Sequence, residues 1–274
     1  MQGDTALVAV YPPHNATDDA LWLAVSQALT DQTDFIDTFI DSPPQTNEVR
    51  RAAALIAAGH LIASHFPNPM RVSELGASAG LNLNWDRFAL DIGGTRLGPA
   101  DAALTLSPDW TGETPPKTMP TVVERRGVDL NPVDPATDDS LRLRAYLWAD
   151  QPPHRRTLTD AALALPHAAV DKADALDWLT PRLPHVTGQT HMIYTTVAWQ
   201  YFPAEKQRQG LAMIKAAGTT ATPDTPLAFV QMEDDGGDNG TALTLRLWPN
   251  TTGNDHPFTL GRVDFHGRWV DWTA

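Results

Sequence analysis

The chain has 274 residues, of which 42% are hydrophobic and 19% charged, with 23 Pro, 18 Gly and no Cys. That is enough chain to bury a substantial core, and apolar residues spread along it exclude extended disorder. The missing Cys excludes disulfides, thiolate metal sites and cysteine nucleophiles, and a net charge of −13 disfavours a broad nucleic-acid-binding face or an anionic membrane surface.

No signal peptide is readable in Met1–Asn15, and no run approaches the roughly 18 apolar residues of a membrane span. A cytoplasmic protein is the expectation. The excess of Arg over Lys, with abundant Ala and Asp, points to a GC-rich bacterial genome.

Thr17-Asp18-Asp19 reads as an N-cap and acidic first turn ahead of Leu21, Trp22, Val25 and Leu29. A short helix over Phe35–Ile40 should stop at Ser42-Pro43-Pro44, and a third, with apolar residues on more than one face, should run from about Asn47 to His65. Residues 1–66 are therefore expected to form a helical cap on a domain spanning 67–274.

Arg71–Leu75 is a strand, followed by Gly76-Ala77-Ser78-Ala79-Gly80 and a short helix into Trp85. Phe88–Leu90, Thr95–Leu97 and Ala103–Leu106 look like strands of a β insertion at about 88–120, and Asp109–Pro120 like a Pro-rich loop. Thereafter the pattern alternates. Strands are expected at Thr121–Leu130, Ala168–Val170, Met192–Ala198 and Leu227–Met232. Helices are expected at Asp138–Trp148, Arg155–Leu165, Ala175–Leu179 and Ala204–Ala217, the last with Gly218 as its C′ residue. Leu243–Trp248 and Leu260–Trp272 complete a β-rich end. Alternating β and α segments argue for a mixed, mainly parallel sheet of Rossmann-like α/β type with an antiparallel edge.

Two chemistries could use the strand–turn–helix at 74–80. In the first, small residues let backbone approach a nucleotide-like cofactor, and acids at successive strand ends hold its polar groups. Glu74 and Asp129 are so placed, although Asp129 lies 55 residues beyond Glu74, and the β insertion must absorb the excess. Asp174 follows the next strand. In the second, Gly76-Ala77-Ser78-Ala79-Gly80 is a G-x-S-x-G elbow with Ser78 as a hydrolase nucleophile, but the helical 70 residues upstream offer no oxyanion loop.

Trp199 and Tyr201, after the strong strand, could bound a substrate pocket or pack in the core. Arg125, Arg126, Arg142, Arg144, Arg155 and Arg156 form either a cationic patch or surface ion pairs. The histidines have no metal-ligand spacing, so no metal is expected.

The runs Glu74–Asn82, Glu124–Asp134, Leu147–Gln151 with Arg155, Val197–Tyr201 and His266–Trp272 resemble a bacterial family defined only as a domain of unknown function and grouped with the S-adenosylmethionine-dependent methyltransferase fold. The resemblance spans roughly residues 40–274. It implies methyl transfer from S-adenosylmethionine to a small-molecule or protein acceptor. Glu74, Gly76, Ala77, Ser78, Gly80, Asp129, Asp174, Ala175 and Thr195 would hold the cofactor, and Trp199 and Tyr201 would bound the acceptor. Ser78 stands where that loop usually has its middle glycine, and Thr195-Thr196 where relatives often carry His-Ser. Members tend to carry more sequence upstream, so either a shorter member or a trimmed chain is expected. The alternative is a non-catalytic Rossmann-like binding module, since fold does not fix function.

Overall fold

The computed structural model describes residues 5–11, 14–41, 45–137, 140–147, 153–250 and 256–274. The expected helix stop at 42–44, the expected helix ends at 138–139 and 148, and the motif residues 149–151 lie outside them.

Three helices come first: α1 (Thr5–Val10), α2 (Asp18–Asp31) and α3 (Thr33–Ile40). Thr17 caps α2, its hydroxyl accepting from Ala20 N–H at 3.2 Å. A 3-10 turn at Val49–Arg51 leads into α4 (Ala52–His65). Eleven residues of α4 are buried, so this helix lies inside the main core. Its Ala-rich sequence is what permits this. Small side chains let the helix lie close against its neighbours, and a Cβ at Gly59 would come within 2.3 Å of the Trp85 ring.

β1 (Met70–Leu75) is followed by a 3-10 segment at Leu81–Arg87. The insertion contributes β2 (Ala89–Ile92), β3 (Thr95–Leu97), β4 (Thr105–Leu106) and β5 (Asp109–Gly112). β2, β3 and β4 form a small sheet of their own in the order β3-β2-β4. β5 corrects the expected loop at 109–120, because it pairs in parallel with a strand near the C-terminus, Asp109–Gly112 against Trp269–Trp272.

The chain continues through β6 (Val122–Asp129), α5 (Ser140–Ala145), α6 (Pro153–Leu163), β7 (Ala169–Lys172), α7 (Ala175–Leu179), β8 (Thr190–Thr196), α8 (Ala204–Gly218) and β9 (Leu227–Glu233). It ends with β10 (Thr241–Trp248), β11 (Phe258–Val263) and β12 (Trp269–Trp272). The main sheet has the order β5-β12-β11-β10-β9-β8-β1-β6-β7. The block β7-β6-β1-β8-β9 is parallel throughout. β10, β11 and β12 add antiparallel neighbours. The sheet is thus mixed α/β and mostly parallel.

Both faces of the parallel block are covered, and every residue of β1 and β8 is buried. On one face Val72, Met192, Tyr194 and Val230 pack with α4 and the insertion. On the other, Leu75, Val128, Ile193 and Phe229 meet Leu176 and Leu179 of α7 and Ile214 of α8. This two-sided burial explains why these strands read as continuous apolar runs. Gly218 departs from its expected role. It lies within α8 and is needed for close packing, since a Cβ there would reach 2.4 Å from the Trp248 ring.

Successive strands move outward from β1 to β6 and β7, then the chain returns to the other side of β1 for β8 and β9. The direction of winding therefore reverses between β1 and β8. A crevice opens at the carboxyl ends of the strands at such a reversal.

Candidate functional site

A cavity of about 620 Å³ lies at this reversal. Its walls come from the ends of β1, β6 and β8, the start of α7, the turn after β8, and residues 45–51 from the N-terminal region.

The loop after β1 is built from left-handed backbone. Gly76 has φ 78°, Ser78 φ 52° and Gly80 φ 71°. The N–H groups of Gly76 and Ala77 both donate to Val128 O, at 2.9 and 3.0 Å, tying the loop to the end of β6. Asp129 continues that tie. Its Oδ2 accepts Ser78 N–H at 2.9 Å, and its Oδ1 accepts Asn131 N–H at 2.9 Å and Gln45 Nε2 at 3.1 Å. Ser78 thus occupies a glycine-like conformation held by a strand-end carboxylate. Gly76 is required for a different reason than ligand clearance, because a Cβ there would meet Ala198 Cβ at 2.4 Å.

Residues 45–48 clamp onto the same loop. Ser78 Oγ donates to Gln45 Oε1 at 3.4 Å, Leu81 N–H donates to Asn47 Oδ1 at 2.9 Å, and Asn82 Nδ2 donates to Glu48 O at 3.2 Å.

The charges around the cavity are distinct in kind. Glu74 is buried, and its carboxyl is pushed well above the ordinary range by desolvation, opposed by a hydrogen bond from Tyr194 and reinforced by the Asp129 charge. It is therefore held toward its protonated form. Asp174 caps α7, its Oδ1 accepting from Leu176 and Asp177 N–H at 2.9 and 3.2 Å, and its Oδ2 faces Lys206 Nζ at 3.2 Å. Those bonds outweigh its partial burial, so its pKa is lowered. Arg51 is 7% exposed, and its Nε and Nη1 donate to Phe265 O and Thr196 O at 2.8 and 3.1 Å.

Glu74, Gly76, Ser78, Asp129, Asp174, Ala175 and Tyr201 all line this one cavity. Ala77, Gly80, Thr195 and Trp199 do not. Ala77 and Gly80 face inward, against Gly127 and Val170. Thr195 is buried one residue short of Thr196, which lines the cavity in its place. Trp199 packs on Phe202 and Phe229 with centroids 5.2 and 5.5 Å away and fills the space beside Gly210. It is core, and Tyr201, 74% exposed, lines the cavity wall together with Phe202.

The sequence reading missed Gln45, Asn47, Arg51 and Lys206. Arg51 had a visible cue, a cation directly ahead of a helix too apolar to be exposed. The turn after β8 has a buried support of its own. Glu233 accepts from the N–H groups of Ala198, Trp199 and Gln200 at 3.1–3.3 Å, beside Val197 with φ 55°. Of the six arginines grouped in the sequence, Arg125, Arg126, Arg144 and Arg155 pair with Asp86, Asp171, Asp160 and Glu48. No histidine lines the cavity, and Ser78 Oγ has Gln45 as its hydrogen-bond partner, so the elbow reading lacks a base among the described residues.

A family profile matches residues 1–272. The chain belongs to the DUF2332 family. DUF2332 members are described as uncharacterized proteins conserved in bacteria. No curated protein matches the chain. Among solved structures, the crystal structure of SCL7 in Oryza sativa is similar at 12% identity with a TM-score of 0.30, covering 78% of this chain and 52% of that one. The chain spans about half the length of that structure, and so slight a likeness decides neither fold relationship nor function. Among the described residues no helix is long and apolar enough to cross a membrane.

Proposed function

We propose that this DUF2332 chain binds S-adenosylmethionine in the cavity and transfers its methyl group to a small-molecule or protein acceptor, using a Rossmann-like methyltransferase arrangement. The observation that carries the reading is convergence. Acids at three separate strand ends, Glu74, Asp129 and Asp174, line one cavity at the reversal of strand order.

The residues present fit such a group. About 620 Å³ is within the range of small-molecule sites. Asp129 Oδ2 accepts one bond from Ser78, which leaves a lone pair for a ligand hydroxyl, and Gln45 Nε2 is a side-chain donor a second hydroxyl could replace. When bound, the cofactor supplies an electrophilic methyl group. The chain's own part is to fix orientation, through Asp129 and the left-handed loop, and to exclude water with residues 45–51. Positioning of donor and acceptor, more than a strong base, sets the rate of such transfers, and no residue of the cavity is assigned as a base.

Titration calorimetry with S-adenosylmethionine and its demethylated product tests the reading. Saturable binding is expected. No heat and no thermal shift at millimolar ligand would overturn it. One observation favours a second reading, a non-catalytic binding module: Gln45, Ser78 and Asn131 already occupy Asp129 with three hydrogen bonds. Binding without turnover on any methyl acceptor would support that alternative.

A further inference from the structure

Arg51 has no directly paired carboxylate among the described residues, although the charges of Glu48 and Glu233 lie near enough to favour its cationic form against burial. The side chain is nearly fully buried, yet it borders the cavity. Both of its hydrogen bonds go to backbone carbonyls, Phe265 O and Thr196 O, and Nη2 donates to no group among the described residues. No carboxylate lies within ion-pair distance of it among those residues.

The nearby acids are each committed elsewhere. Glu48 is taken by Arg50 at 3.0 Å and by Arg155. Glu233 accepts three backbone N–H groups and does not line the cavity. Asp174 pairs with Lys206. Asp129 is held by Ser78, Asn131 and Gln45. Glu74 is held toward its neutral form by burial and by the Asp129 charge. A buried cation without a directly paired counter-charge is costly, and an anion brought against its free guanidinium edge would offset that cost. The two carbonyls also hold the guanidinium in place, which prepares it for a planar, two-oxygen partner.

We infer that Arg51 is the receptor for a carboxylate of the bound ligand, so that the cavity selects compounds carrying a carboxylic acid end. This deepens the methyltransferase reading and rests on it for the identity of the rest of the ligand. The carboxylate has two possible sources, the amino-acid end of the cofactor or an acid group of the acceptor.

The test compares purified wild type with Arg51→Gln, and with Arg51→Lys, which keeps the cation if the glutamine variant folds poorly. Circular dichroism first establishes that each variant is folded. Calorimetry then measures S-adenosylhomocysteine against its decarboxylated analogue and methylthioadenosine. If the cofactor supplies the carboxylate, wild type prefers S-adenosylhomocysteine by about tenfold or more, from the loss of a charge-assisted pair. Arg51→Gln brings the preference to within about twofold, and Arg51→Lys retains part of it. If the acceptor supplies it, the three adenosyl compounds bind alike. Glycine, glutamate and 2-oxoglutarate, added with methylthioadenosine, then raise the melting temperature of wild type above their amides, and not that of Arg51→Gln.

A carboxylate preference that survives in Arg51→Gln, or none in either arm, overturns the inference while leaving the adenosyl site standing. If no adenosyl compound binds wild type, the cofactor reading fails. The small-carboxylate arm, run without methylthioadenosine, then decides the role of Arg51 alone: a shift lost in Arg51→Gln upholds it, and no shift ends it.

Discussion

Asp129→Asn isolates the double duty of the β6-end acid. The carboxylate accepts a backbone N–H on each oxygen, Asn131 on Oδ1 and Ser78 on Oδ2, both at 2.9 Å. An asparagine can present its oxygen to only one of them, and its NH₂ must then face the other donor. A hydrogen bond to a charged group contributes about 1.5–3 kcal/mol. Asp129 is half-buried beside an open cavity, so water recovers part of that loss, and about 2 kcal/mol is expected. That corresponds to roughly 4–8 °C in melting temperature for a chain of this size. Asp129→Ala removes both bonds and the Gln45 contact but leaves room for water, and should cost a similar amount. The strand-end acid is therefore structural as well as cavity-lining. Urea unfolding of wild type and both variants checks this. Asp129→Asn within about 0.5 kcal/mol of wild type would refute the clamp and leave the carboxylate free for ligand alone. A double-mutant cycle with Gln45→Ala should give a coupling of about 0.5–1 kcal/mol, typical of one part-exposed hydrogen bond.

Four further outcomes follow from particular contacts. Ser78→Gly should stabilise the chain by up to about 1 kcal/mol in urea unfolding, because Ser78 holds φ 52° against the left-handed penalty of an L-residue. Gly76→Ala should cost about 2–4 kcal/mol by the same assay, since φ is 78° and the new Cβ would lie 2.4 Å from Ala198 Cβ. Glu74 has a folded pKa raised above its ordinary 4.5, so its contribution to stability is fully present below that value and is lost as pH rises through the folded value. Glu74→Gln should flatten the fall in unfolding free energy between pH 4.5 and 7, and an unchanged slope would reject a protonated Glu74. Gly267→Ala, 2.5 Å from Arg50 O with φ 68°, should cost about 2–4 kcal/mol and weaken any carboxylate preference at Arg51, read by unfolding and by ligand titration.

The parts of the site that were legible in the sequence are those set by local chemistry. Gly76 and Gly80 announced a turn because only glycine takes a left-handed backbone without strain, whereas Asp174, read as an acid after a strand, also caps α7 through the N–H groups two and three residues on. Asp129 was legible as a strand end. What local chemistry does not encode is which distant segment closes over these residues. Gln45 meets Asp129 across 84 residues and Arg51 meets Phe265 across 214. β5 was hidden in a Pro-rich stretch because its ladder partner among the described residues is the distant β12, and four residues carry too little periodicity to reveal an edge strand. Trp199 was ambiguous because an aromatic residue after a strand can face a cavity or the core. The gap at Gly210, on the helix that follows, decides for the core.

The antiparallel extension gains a purpose from this closure. β10, β11 and β12 lie on the far side of β9 from the strand-end acids, and would add little to a site made only by the parallel block. The turn between β11 and β12, however, returns to the N-terminal wall. Asp264 organises it by accepting His266 and Arg268 N–H at 3.0 and 3.1 Å and the Arg268 guanidinium at 2.7 Å. Those bonds outweigh the cost of its burial, and the Asp264 pKa is lowered. The turn then presents Phe265 O to Arg51 and brings Gly267 against the Arg50 backbone. His266 Nδ1 lies 3.9 Å from Glu48, the acid that also holds Arg50 and Arg155. The C-terminal turn and the 48–51 segment therefore fix each other, and between them they fix Arg51, a buried cation that borders the cavity. A parallel sheet with strand-end acids makes a crevice; the added strands and the N-terminal segment hold Arg51 at its wall.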